Sequence, residues 1–209
     1  MKVLTYNMHK GRDRKRNNVV VDLAEAIAER QPDLLLCQEV FHGRTRDEEQ
    51  CHRIAHAAGH DHVFGPNKFY PSGCHGNATF THLPIEEHVN IDATESFFEK
   101  RGILHAVLHY ADAPLDVLNV HFSLTGRQRR RQWFKLAQAM PDDPAMRVIA
   151  AGDFNDWRGN LDKRVRQSGL LENSLWALHR RERRTFPARR PLFALDRIYV
   201  RGFRVVRVE

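Results

Sequence analysis

Residues 148–156 read Val-Ile-Ala-Ala-Gly-Asp-Phe-Asn-Asp, an apolar run that ends by presenting two carboxylates and an amide. Other apolar runs end in the same way. Asn7 closes "VLTYN", Glu39 closes "LLLCQE" and His121 closes "VLNVH". Asn77 begins another run after "HGN", and Asp196 lies early in "LDRIYV". Carboxylate and amide oxygens bind hard cations, while amide and imidazole N–H groups bind phosphate oxygens. Glu39 and Asp153 weigh most. A carboxylate at the end of a buried strand is costly to desolvate without a partner, and a divalent cation supplies one. Mg²⁺ suits this set better than zinc, because it takes few protein carboxylates and completes its octahedron with water and phosphate. The plainer alternative is that Glu39 caps a helix and Asp153 makes a turn. His75, just before Gly76-Asn77, could line the same cleft. His52, His56 and His60 stand four apart on one predicted helix, with no acidic neighbour to complete a metal site.

These groups need strands to carry them. Residues 2–8, 33–40, 77–82, 102–110, 115–122, 146–154 and 195–200 read as strands, most of them continuous apolar runs of the kind buried on both faces. Helices fit between them at 18–31, closed by Pro32, and at 46–59, with acids in the first turn and Gly59 after the last. A third helix, 125–140, sets Trp133, Leu136, Ala137 and Met140 on one side and its arginines largely on the other. A shorter one follows Asn160. The strand-only stretch between 77 and 122 favours two packed sheets covered by helices over one doubly wound sheet.

The 209 residues, 42% hydrophobic and 28% charged, suit one globular domain spanning 1–209. No apolar run approaches the roughly 20 residues that span a bilayer. Met1 runs directly into a strand-like segment rather than a leader, so a cytoplasmic location is expected. Three scattered cysteines do not make a disulfide framework. The net charge of +7 and the arginine runs at 126–133 and 179–190 favour nucleic acid, or else an anionic lipid surface, as partner.

The set "LTYN", "LLLCQEV", "HGNATF", "NVHF", "AAGDFND" and "LDRIYV", in this order, resembles the endonuclease/exonuclease/phosphatase, or DNase I-like, superfamily. The resemblance covers nearly the whole chain. It implies an α/β fold, a four-layer α/β/β/α sandwich with its site at one end of the sheets, and Mg²⁺-dependent phosphate ester hydrolysis, with Mn²⁺ as a substitute. Carried over, Glu39 would be the principal metal ligand and Asn7 would support metal or phosphate. Asp153 would position and help deprotonate water, and Asn155 would orient it. Asn77 and His121 would bond phosphate oxygens, and Asp196 would orient a catalytic histidine.

The superfamily pattern finishes with Ser-Asp-His, which does not follow Asp196 here. A C-terminally truncated domain lacking its last core strand is therefore expected, with weakened activity. Its bared sheet edge would invite homodimers. The leading function is a nuclease of low sequence selectivity. The alternatives are a phosphodiesterase or phosphatase acting on a phospholipid head group or sugar phosphate, and a catalytically weak nucleic-acid-binding protein.

Overall fold

The computed structural model describes residues 1–43, 49–179 and 181–208. Among the described residues ten strands form two sheets. The first holds β1 (Val3–Asn7), β2 (Leu34–Gly43), β3 (Asp61–Tyr70) and β4 (Gly73–Thr81), in the order β1-β2-β4-β3. The second holds β5 (Ile85–Asp92), β6 (Gly102–Tyr110), β7 (Ala113–His121), β8 (Arg147–Asp153), β9 (Glu172–Asn173) and β10 (Asp196–Arg201), in the order β5-β6-β7-β8-β10-β9. Pairs β1·β2 and β7·β8 are parallel and the rest antiparallel.

Three apolar clusters fill three gaps, which makes four layers. Leu34 and Leu36 of the first sheet pack on Leu104, Val117 and Ile149 of the second. Helices α1 (Val20–Arg30) and α2 (Gln50–Ala58) cover the outer face of the first sheet through Ala24, Ile27, Cys51 and Ile54. Helices α3 (Gly126–Ala139) and α4 (Asn160–Ser168) cover the second through Trp133, Leu136, Leu161 and Val165. Strands with a sheet face on one side and helices on the other are buried twice over. That is why they read as unbroken apolar runs. The cysteines are free and buried.

Several expectations need correction. Strands β3 and β5 escape the apolar-run reading. The former carries Gly65 and Pro66 at a register shift and the latter is mostly exposed, as edge strands tolerate. Helix α2 begins at Gln50 with Glu49 as its N-cap residue. Its first turn holds no acid, and residues 46–48 lie outside the described ones. The arginine runs are not all solvent-facing. Arg129 is buried and donates to the Ser123 and Leu124 carbonyls at 3.2 and 2.6 Å. Arg183 donates to the Trp176 and Leu178 carbonyls, both at 2.7 Å. Arg180, within the second run, also lies outside the described residues. Among the described residues no helix is long and apolar enough to cross a membrane.

Candidate active site at one end of the two sheets

Parallel pairing of β7 and β8 brings His121 and Asp153 to the end of the second sheet side by side, and antiparallel β10 sets its first residue, Asp196, opposite Asp153. Three apolar strands thus deliver three polar side chains abreast. The glycine of "GDF" is required here: Gly152 has φ +147°, and a β-carbon on it would strike the Val120 carbonyl.

The first sheet contributes Asn7 and Glu39. Asn7 ends β1 and its Nδ2 donates to Asp153 Oδ2 at 3.1 Å, which ties the two sheets together at this end. Its Oδ1 accepts from the His9 backbone N–H at 3.1 Å. Glu39 does not end its strand, as its sequence position suggests. Strand β2 continues to Gly43, and Glu39 sits at a register shift between Cys37 and Val40, with φ +51°. A non-glycine residue held left-handed at a bulge re-aims its side chain at a cost of about 1–3 kcal/mol, and such strain gathers at functional sites. Glu39 Oε1 lies 4.0 Å from His121 Nδ1. Asn155 is likewise left-handed, at φ +49°. Its backbone N–H donates to Asp153 Oδ1 at 2.9 Å and its Nδ2 to the Phe122 carbonyl at 2.8 Å. One amide hydrogen and the amide oxygen remain.

Asn77 departs from expectation. It lies inside β4 rather than at its start and is fully buried. Both of its amide hydrogens are committed, to the carbonyls of Gly102 at 3.1 Å and Asn119 at 3.0 Å. Asn77 therefore has no donor for a phosphate oxygen, and it pins the sheets together instead. Asn119 and Gln38 belong to the same buried seam: Gln38 Nε2 donates to Asn119 Oδ1 at 2.9 Å, and Asn119 Nδ2 to the Cys37 and Ala78 carbonyls at 3.1 and 2.9 Å.

Burial dominates the electrostatics. It pushes the Asp153 carboxyl up, with Glu39 adding to the rise. The hydrogen bonds from Asn7 and Asn155 and the charge of Arg101 oppose it. Burial, together with the Asp153 charge, pushes Asp196 up to about 6. His121 is held well below the usual imidazole range by burial, then by Arg101, His75 and His9. Its ring lies 3.6 Å from Asp153 and 4.0 Å from Glu39, too long for hydrogen bonds, so desolvation wins and the ring is neutral. His75, also buried, drops to about 4 through desolvation and the nearby Lys10. Its Nδ1 lies 3.4 Å from the Tyr70 hydroxyl.

Arg101 was not legible as a site residue. It precedes β6 in a charged loop, with nothing in its spacing to mark it. Yet its charge acts on Asp153, His121 and His75 together. It pairs with Glu99 at 2.7 Å, while its Nε is buried without a partner.

No cluster of three or more His, Cys, Asp or Glu side chains able to hold a metal ion occurs among the described residues. His52, His56 and His60 form none either; His52 pairs with Glu49 at 3.2 Å and His60 bonds the Pro32 carbonyl at 2.7 Å. The donor set at the sheet ends nevertheless fits a hard cation. Two carboxylates, Glu39 and Asp153, have no Lys or Arg within 4.0 Å among the described residues, and an amide stands beside them. Oxygen donors so few in number suit an ion that keeps several waters.

The model of the Endonuclease/Exonuclease/phosphatase family matches residues 4–209. The chain belongs to this family. The family's named activities share hydrolysis of phosphate esters, which fits a site of carboxylates, amides and a half-buried arginine. The chain is 33% identical over 216 residues to the uncharacterized protein YbhP of Escherichia coli strain K12, covering 96% of this chain and 85% of that one. Its fold is similar to that of an endonuclease/exonuclease/phosphatase from Beutenbergia cavernae DSM 12333, with TM-score 0.79 and 17% identity over 95% of this chain; this chain spans 63% of that structure. A family protein from Leptotrichia buccalis C-1013-b gives TM-score 0.75 and 18% identity, over 96% of this chain and 87% of the other.

Proposed function

We propose that the chain is a Mg²⁺-dependent phosphodiesterase that cuts nucleic acid with little sequence selectivity. The observation that carries this reading is the meeting of Asn7, Glu39, His121, Asp153 and Asp196 at one end of the two sheets, with the carboxylates lacking Lys or Arg partners among the described residues. The basic balance of +7 supports a polyanionic substrate, which backbone phosphate contacts can hold without reading bases.

Glu39, Asp153 and Asn7 would hold the cation, which lends Lewis acidity and neutralises charge on the phosphoryl oxygens. Asp153, raised by burial, takes a proton from the attacking water. The free amide hydrogen and oxygen of Asn155 fix that water's orientation. Neutral His121 donates its one N–H to a non-bridging oxygen, and Arg101 supplies the charge-assisted donor that Asn77 cannot. Asp196, opposite Asp153 and itself raised by burial and by that carboxylate's charge, adds negative charge to the site.

Incubation with supercoiled plasmid and with single-stranded RNA tests this reading. Cleavage should require Mg²⁺ or Mn²⁺, cease in EDTA and be lost in Asp153→Ala. Intact nucleic acid beside cleavage of a phospholipid or a sugar phosphate would overturn the substrate. Cleavage that persists in EDTA would overturn the metal.

A further inference from the structure

Beside the acidic centre, on the first sheet's side, lies a cleft of about 290 Å³. Lys10, Arg12, Phe41, Gln50, Tyr70 and Ser72 help to line it. It adjoins the site described above. Lys10 Nζ is 3.4 Å from the Tyr70 hydroxyl, and that hydroxyl is 3.4 Å from His75 Nδ1. Lys10 and Glu39 both act on His75, from opposite charges.

Its cationic wall is built rather than incidental. His9, Lys10 and Gly11 hold three successive left-handed conformations, at φ +48°, +59° and +65°. Gln50 locks them: its Nε2 donates to the Lys10 carbonyl at 2.7 Å while its Oε1 accepts from the Phe41 N–H at 2.9 Å. Gly11 cannot be replaced, since a β-carbon there would strike Val20 and crowd Gln50. Lys10 Nζ also stands 5.2 Å from the Tyr70 ring centroid. Neither Lys10 nor Arg12 has a carboxylate within 4.0 Å among the described residues. Two cations line the cleft without counter-ions among the described residues, Lys10 on left-handed backbone and Arg12 on extended backbone with its Nη1 donating to the Arg16 carbonyl at 3.0 Å, and such a pair favours an anion. Gln50 spends its Oε1 and one Nε2 hydrogen on backbone, which makes it a support of the wall.

We propose that this cleft binds a second phosphate of the substrate, one nucleoside away from the phosphate that is cut. Lys10 and Arg12 hold its charge, and the Tyr70 and Ser72 hydroxyls bond its oxygens. The inference rests on the nuclease reading and deepens it: the preferred substrate carries two phosphates, and a lone phosphodiester is a poorer one. The second phosphate is either internal to a chain or terminal.

The test compares wild type with Lys10→Gln and Arg12→Gln. The substrates are bis(p-nitrophenyl) phosphate, a trinucleotide, and a dinucleotide bearing a terminal phosphate, each with Mg²⁺. Each substitution should lower kcat/KM for the trinucleotide by about tenfold more than for the aryl ester, the loss of one charged hydrogen bond. An equal drop for the terminally phosphorylated dinucleotide assigns a terminal phosphate to the cleft; no drop there assigns an internal one. Trinucleotide binding in EDTA, read by fluorescence anisotropy, should lose about 0.7 from its log–log salt slope per cation removed. Equal losses on all three substrates, or none on the trinucleotide, would overturn the subsite. If wild type cuts nothing, the nuclease reading fails. The binding slope then decides the subsite alone, kept by dependence on Lys10 and sunk by independence. Lys10→Asn, which tolerates the left-handed backbone, and Arg12→Gln, in extended backbone at φ −121°, serve should Lys10→Gln not fold.

Discussion

The two carboxylates of "GDFND" stand three residues apart and live in opposite worlds. Asp156 is 1% exposed and saturated. It accepts the backbone N–H groups of Asn160, Leu161 and Asp162 at 3.1, 3.0 and 3.0 Å, and Arg197 Nη1 at 2.8 Å. It caps α4 and ties that helix to β10. Among the described residues Asp153 accepts only the Asn7 amide and the Asn155 N–H, and no arginine or lysine lies within 4.0 Å of it. One aspartate has every lone pair answered by protein, and the other leaves room for ligand. Satisfaction of the carboxylate, more than its burial, separates the structural acid from the chemical one.

That contrast can be broken by substitution. Asp153→Ala should lower phosphodiesterase turnover by about 10²–10⁴-fold, the typical worth of a general base, with little loss of Tm in EDTA. Asp156→Ala should do the reverse. It strands Arg197, which is buried and whose proton that acid helps to hold, and should cost about 3–5 kcal/mol in denaturant unfolding. A stable Asp156→Ala protein with abolished turnover would erase the distinction.

Arg101→Gln sharpens it further. Removing the cation that faces Asp153, His121 and His75 should raise KM about tenfold, the order of one charged hydrogen bond. Glu99→Gln, which removes the carboxylate paired with that arginine at 2.7 Å and leaves its charge in place, should have a smaller effect.

The smallest expected effect is in the pH dependence of stability without metal. Asp196, raised to about 6, binds its proton more tightly folded than unfolded. Between the ordinary carboxylate range and pH 6 the folded state therefore holds more protons, and stability falls as pH rises through this window. Asp196→Asn should remove this slope in EDTA and raise stability by about 1–2 kcal/mol above pH 7, allowing for its partial exposure. Thermal unfolding at pH 4.5 and 7.5 reads the difference. An unchanged slope would mean that Asp196 titrates normally.

Most of the constellation is legible along the chain, because a buried strand that ends on a polar residue advertises it. Asn7, His121 and Asp153 do terminate β1, β7 and β8. Glu39 is legible as a residue but not in its setting, since no pattern announces a bulge inside "LLLCQEVFHG". Asn77 misleads: its neighbours place it near the site, and only its two cross-sheet hydrogen bonds reveal that its donors are used. Arg101 and Lys10 carry no signal, because a charge in a loop looks the same whether it faces water or a cleft.

The primary structure alone determines the layered α/β architecture and the identity of the acids and amides, through local runs of apolar residues and what closes them, and the order of its motifs carries the family resemblance. Which polar group is spent on the fold and which is left for a ligand is decided only when the two sheets meet. Hydrogen-bond satisfaction is a property of partners distant in sequence, such as Asn7 with Asp153 or Asp156 with Arg197, and spacing along one strand does not encode it.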